Sequence, residues 1–151
     1  MRLVYLSSDF YSAHSGDTEI ENKNDRPHAR VLLSAEGLTF AIPFRSNIQH
    51  NHAFYTDAAN HCGLDYSKAV VIQDESKEID QTRTPYLRQN EFNALKGKDG
   101  RIANGMRRYI RDYNKAKKDP QNPRNQKLLD YSTLQYFDDL IPDQEEKDKA
   151  S

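Results

Sequence analysis

The chain has one cysteine, Cys62, so no disulfide can form within it, and nothing in its cysteine usage points to an oxidising compartment. Long apolar runs are missing as well. The opening MRLVYLSSDF turns polar too soon for a signal-peptide core or a membrane span, so the protein is expected to stay where it is made, in the cytoplasm. There is no G-x-S-x-G, C-x-x-C or H-E-x-x-H pattern and no internal repeat. A net charge of only -1 excludes a uniformly basic or acidic protein. Only 36 % of residues are hydrophobic, so the core must be compact, with nine tyrosines and six phenylalanines supplying much of the burial.

What is present is uneven. At 151 residues the chain fits one domain, expected over 1–141, with an acidic, disordered tail over 142–151. From Lys96 to Lys118 nine Lys or Arg face two Asp, a local charge of +7; from Asp138 to Ser151 six acids face two Lys, giving -4. The near-neutral total hides two opposite segments, and the local sign is the better guide to partners.

Residues 2–6 read as a strand, 7–14 as a helical turn and 15–27 as a polar loop. HARVLLSA (28–35) and LTFAIPF (38–44) are apolar runs of strand length separated by Glu36-Gly37, a hairpin signal. Pro43 predicts an edge strand or a strand end. A loop over 47–66 leads to a buried strand at 68–73 and an exposed acidic segment at 74–80. No helix separates these strands, so the expected class is α+β with an antiparallel sheet. Ile102, Met106, Tyr109, Ile110 and Tyr113 form one apolar helical stripe, with Arg101, Arg108, Arg111, Lys115 and Lys118 opposite. A last helix is expected from Asn122-Pro123 to about Ile141, with Asn as N-cap.

Chemistry-bearing residues concentrate in IPFRSNIQHNHAF (42–54), where an apolar strand runs into Arg45, Ser46, His50 and His52. With His61 and Cys62, the two histidines offer imidazole and thiolate ligands to a zinc ion; the alternative is loop histidines with packing or RNA-contact roles. Ser46 and His50 with an aspartate would make a hydrolase triad, but without the expected elbow motif. Arg45-Ser46 reads either as a phosphate clamp or as an ordinary turn. The basic helix reads as a solvated face or, with Tyr109 and Tyr113 interleaved and Arg83 and Arg88 nearby, as a nucleic-acid surface.

The order of these segments resembles the toxins of type III toxin-antitoxin systems, the ToxN and TenpN group of endoribonucleases. The resemblance runs through SSDFY, RPHARVLL, GLDYSKAVVI, TPYLRQNEFNALKG and LLDYSTLQYF, and is closest to the TenpN branch in EGLTFAIPFRSNIQHNHAFYTD. It implies a strongly twisted antiparallel sheet with a barrel core similar to MazF and Kid, and C-terminal helices. It implies metal-independent, cofactor-free cleavage of RNA by attack of the ribose 2'-OH, leaving a 2',3'-cyclic phosphate and a 5'-OH. The implied partner is a repeated pseudoknot RNA that inhibits the toxin in a closed assembly. In the family pattern a proline is followed by Thr-Ser and, two residues on, a lysine. Here Arg45 replaces the threonine, Ser46 matches the serine and Ile48 stands at the lysine, whose role passes to Arg45 or His50. A second family lysine maps onto His28, with Arg26 and Arg30 nearby, and Tyr11 matches the neighbourhood of an active-site tyrosine. The expected catalytic residues are thus Arg45, Ser46, His50, Tyr11 and His28, and the expected RNA-binding residues Arg26, Arg30, Lys68, Arg88, Arg107, Arg108 and Arg111.

Overall fold

A computed structural model describes residues 1–20 and 28–143; Arg26 and nearly all of the expected acidic tail lie outside the described residues. The elements are β1 (Arg2–Val4), α1 (Ser8–Ala13), β2 (Arg30–Ala35), β3 (Leu38–Arg45), β4 (Ala53–Asp57), β5 (Cys62–Asp65), β6 (Val70–Ile72), α2 (Glu75–Glu78), α3 (Gln89–Leu95), α4 (Asp99–Lys118) and α5 (Pro123–Tyr131). A 3-10 turn at Tyr66–Lys68 joins β5 to β6, and another at Thr133–Phe137 follows α5. Among the described residues no helix is long and apolar enough to cross a membrane.

The class is α+β, and every strand pairing is antiparallel. β2 and β3 form the expected hairpin. Glu36 and Gly37 both take positive φ (53° and 74°), the backbone that a two-residue turn needs to follow the twist of its strands. The sheet runs β1-β2-β3-β5-β4, with β6 also paired to β3. It does not close into the expected barrel: β1 and β4 end the path, and no pairing joins them among the described residues. Closure needs strands of matched length and stagger. Here only β3 is long, at eight residues, and its second edge is divided between two short partners.

That division changes the reading of Pro43. β3 is not an edge strand: it pairs with β2 along one side and with β6, then β5, along the other. Phe44 N–H bonds to Ala29 C=O (2.9 Å) on the β2 side, so by antiparallel alternation the nitrogen of Pro43 faces the opposite edge. There β6 has ended at Ala41 and β5 has not begun until Phe44. A residue without an N–H thus sits where the sheet offers no acceptor.

The core lies between the sheet and α4. All five residues of the apolar stripe are buried, and α4 packs on β2, β4, α5 and the 66–68 turn. Two strands appear where a loop was expected: β4 and β5 are short, and β4 is only half-buried throughout, so neither shows the alternation that marks a strand. The last helix is shorter than expected. Asn122 caps it as predicted (Arg124 N–H to Asn122 Oδ1, 2.9 Å), but it stops at Tyr131. Ser132 and Thr133 are buried and bond elsewhere: Tyr109 Oη donates to Ser132 Oγ (2.6 Å), and Thr133 Oγ1 donates to the carbonyls of Ser67 and Ala69. Hydroxyls that find such partners compete with helix continuation. At the end of the described chain Asn114 Nδ2 bonds to Pro142 C=O (2.8 Å) and Lys118 Nζ pairs with Asp143 Oδ1 (3.8 Å).

Candidate active-site cleft

Opposite Pro43, where the sheet edge is broken, the chain leaves it for the single turn of Tyr66–Lys68, and the site is built on that departure. Asp65 starts the turn and is fully buried. Its Oδ1 accepts from the Ser67 amide (2.9 Å) and the Ser67 hydroxyl (2.5 Å), while Oδ2 accepts from Arg45 Nη1 (3.0 Å). His50 Nε2 lies 3.3 Å from Asp65 Oδ1 and 3.3 Å from Ser67 Oγ. Burial alone would push the carboxyl up. Hydrogen bonds from His50, Ser67 and Arg45 outweigh it and hold Asp65 below the usual carboxylate range.

The carboxylate fixes two groups of the opening stretch. Arg45, the last residue of β3, also donates from Nη1 to Tyr131 Oη (3.0 Å). Burial works against its charge, but Tyr131 and Asp65 raise its pKa above the ordinary arginine value, so it is a permanent cation. His50 accepts the main-chain N–H of His52 at Nδ1 (3.0 Å), so the neutral ring carries its proton on Nε2, toward Asp65 and Ser67. His52 is half-buried, with its ring 5.3 Å from that of Tyr109 and 5.6 Å from that of His50. Burial, then repulsion by His50, lowers its pKa against the weaker pull of Asp112 and Asp65.

The 66–68 turn is itself pinned from two sides. Tyr66 Oη donates to Ile102 C=O of α4 (2.9 Å) and lies over Gly105, where no side chain intervenes. Lys68 Nζ donates to Glu19 Oε2 and to Tyr131 C=O (both 2.7 Å), and sits 3.5 Å from the centre of the Tyr131 ring. Because α5 ends at Tyr131, its last residue turns back over the site.

These groups line a cleft of about 490 Å³ that includes Arg45, Ile48, His50, His52, Ser67, Tyr109, Arg124, Lys127 and Tyr131. Three of its lining residues are fixed cations and none is an Asp or Glu. Around the start of β4 a second groove of about 530 Å³ is lined by Ala53, Phe54, Tyr66, Asn104, Arg101, Arg107, Arg108 and Arg111, again without a carboxylate. His52 and Tyr109 line the first, and their chain neighbours Ala53 and Arg108 line the second.

Arg45 and His50 thus come together as expected, and Arg107, Arg108 and Arg111 share a groove, with Arg107 tied to Glu36 (3.4 Å) and Asn104 (2.7 Å). Other expected residues fall elsewhere. Ser46 is exposed at the bend after β3 and does not line the cleft; Ser67 does. Tyr11 is buried in the core on α1, edge-on to Phe10, and not at the site. His28 lines a small recess with Arg30, Pro43, Arg45 and Lys68, outside the main cleft. Arg30 and Lys68 are buried and bonded internally, Arg30 to the carbonyls of Ala41 and Lys68, so neither presents its charge to an RNA surface. Ile48, at the family lysine's position, is buried at the cleft wall. Arg88 is exposed immediately before α3.

Sequence reasoning missed Asp65, Ser67 and Tyr131, and read His52 as a possible metal ligand or a loop histidine with packing or RNA-contact roles, without a catalytic assignment. The spacing Asp65-x-Ser67 is a turn signal, since an aspartate bonds the backbone two residues on. Tyr131 is announced only by the Ser132-Thr133 pair that stops its helix. His61 is exposed at a left-handed turn before Cys62, and among the described residues no group of three His, Cys, Asp or Glu could hold a metal ion. No protein-family model, curated protein or solved structure matches the chain.

Proposed function

We propose that this chain is an endoribonuclease of the cytoplasm that cuts RNA by attack of the 2'-OH on the neighbouring phosphorus, leaving a 2',3'-cyclic phosphate and a 5'-OH. The observation that carries the reading is a cleft with three cations and no lining carboxylate that holds a pair of imidazoles, together with a second groove lined by four arginines of α4. A polyanion is favoured along both, and proton-handling groups stand in the first. The cleft's size suits a nucleotide.

Transesterification needs donors for the charge that develops on the phosphorane. Arg45 fits, because Asp65 and Tyr131 hold its guanidinium in place beside the imidazoles. Arg124 and Lys127 bring further positive charge to the same cleft. Arg108 and Arg111 then track the backbone of the same strand, contributing affinity rather than chemistry. The resemblance to type III toxins supports the same reaction. It adds a toxin role, inhibition by a repeat pseudoknot RNA in a closed assembly, and kinship of the twisted sheet with MazF and Kid.

The test incubates purified protein with cellular RNA in EDTA and maps new 5' ends. Cleavage leaving 5'-OH termini, lost in Arg45→Ala with circular dichroism unchanged, is the expected result. Binding without new ends at any protein concentration would make the chain a docking module for structured RNA. Cleavage abolished by EDTA would restore a metal-dependent reaction.

A further inference from the structure

Of the two imidazoles at the cleft, His50 has both ring nitrogens engaged, Nδ1 by the His52 main-chain N–H and Nε2 toward Asp65 and Ser67. His52 is the reverse case. Its main chain is fixed, N–H to His50 Nδ1 and C=O accepting from Tyr66 N–H (3.0 Å), and its ring packs against Tyr109. Neither of its ring nitrogens has a hydrogen-bond partner among the described residues, and the ring lines the cleft. Tyr131 Oη is similar: it accepts from Arg45, which leaves its own proton available in the same cleft.

Resting on the reading of the chain as a ribonuclease, we propose that His52 is the base that takes the 2'-hydroxyl proton, that Tyr131 protonates the departing 5'-oxygen, and that His50 is a positioning residue. The O2'–H bond breaks with its proton going to the His52 ring, and the freed pair on O2' forms the new bond to phosphorus. The P–O5' bond breaks, and its pair takes the hydroxyl proton of Tyr131. Passage of one proton through solvent from the imidazolium to the phenolate resets the site, so the cycle consumes nothing but RNA. Arg45, already bonded to Tyr131 Oη, stabilises that phenolate between turnovers.

The charged and titratable groups facing His52 come from every side: His50 on its own loop, Asp65 from β5, Tyr109 and Asp112 from α4, and Arg124, Lys127 and Tyr131 across the cleft. The net effect leaves the ring neutral at neutral pH, as a base requires.

Single-turnover cleavage in EDTA, followed against pH, tests the assignment. For the full chain the rate should rise with pH and level off below about pH 6.5, the ordinary histidine value. His52→Ala should be slower by about 10²- to 10⁴-fold and lose that acidic limb, with RNA affinity by filter binding unchanged and added imidazole restoring part of the rate. His52→Gln, which keeps a planar polar group against Tyr109, serves if the alanine variant does not fold. His50→Gln should be slower but keep the acidic limb, and Tyr131→Phe should be slower and keep it too. Both His52 variants cleaving at the parent rate with the limb intact would sink the assignment while leaving the ribonuclease reading in place. A limb lost in His50→Gln and kept in the His52 variants would transfer the base to His50. A parent protein that makes no new 5' ends overturns both.

Discussion

Gly105→Ala is a substitution that helix propensity alone favours and this structure opposes. In the middle of α4 an alanine is worth about 0.8–1.0 kcal/mol over glycine. Its Cβ, however, would lie 2.2 Å from Tyr66 Oη, 2.6 Å from Cζ and 2.8 Å from Cε2, where carbon contacts normally rest at about 3.5–4.0 Å. Tyr66 is buried, and its hydroxyl is spent on Ile102 C=O, so a ring that moves aside into the neighbouring groove gives up that hydrogen bond. Overpacking costs about 1–3 kcal/mol. Loss of the buried hydrogen bond costs a further ~1–3 kcal/mol, and after subtracting the propensity gain a net destabilisation of roughly 1–5 kcal/mol remains. Urea unfolding at constant m-value measures it. In a Tyr66→Phe background the closest atom is gone, so the same glycine substitution should cost at least about 1 kcal/mol less. Gly105→Ala as stable as the parent in both backgrounds would refute the idea that α4 clamps the 66–68 turn. If it does clamp the turn, cleavage should fall with stability, because the displaced segment carries Ser67 and adjoins Asp65.

Asp65→Asn should destabilise by an amount near the lower end of the ~3–5 kcal/mol typical of breaking a buried pair, since the Arg45 side chain keeps 22 % exposure. The parent's Asp65 pKa is depressed on folding, so its contribution is complete above the unfolded carboxylate value of about 3.9 and is lost as pH falls through the folded value. Urea midpoints measured from pH 7 down to pH 3 should therefore drop less steeply for Asp65→Asn than for the parent; parallel curves would remove that role. Arg108→Glu with Arg111→Glu should weaken RNA binding and flatten the plot of log affinity against log salt by about 1.4, roughly 0.7 per single-strand phosphate contact. An unchanged slope would mean that the α4 groove faces no phosphate. Arg107→Glu should have a smaller effect on affinity, its guanidinium being already committed to Glu36 and Asn104.

The parts of the fold written in local pattern were legible: the hairpin around Glu36-Gly37, the apolar stripe of α4 and the Asn122-Pro123 helix start. Each depends on residues a few positions apart. β4 and β5 were not, because half-exposed strands of five and four residues have no periodicity to detect. The site divides along the same line. Arg45 and His50 stand out because they are close together in sequence. Asp65, Ser67 and Tyr131 join them only through the broken sheet edge and the early stop of α5, which are facts of long-range pairing. Lys68 shows the converse error: as sequence it is one more cation in a basic protein surface, whereas its stem is buried and its charge fastens Glu19 to the end of α5. The barrel expected from resemblance failed for want of strand length, a quantity that a short motif does not report.

The clasp between Lys68 and Tyr131 also has a consequence in time. The 64 positions from Ser67 to Tyr131 take about 3–13 s to synthesise at roughly 5–20 residues per second. Throughout that interval the emerging chain already contains Arg45, His50, His52, Asp65 and Ser67 but lacks Tyr131 and the Thr133 that holds the 66–68 turn. A nascent chain therefore lacks a complete cleft until Thr133 has left the ribosome, so whatever the cleft does must wait for that step of its own production.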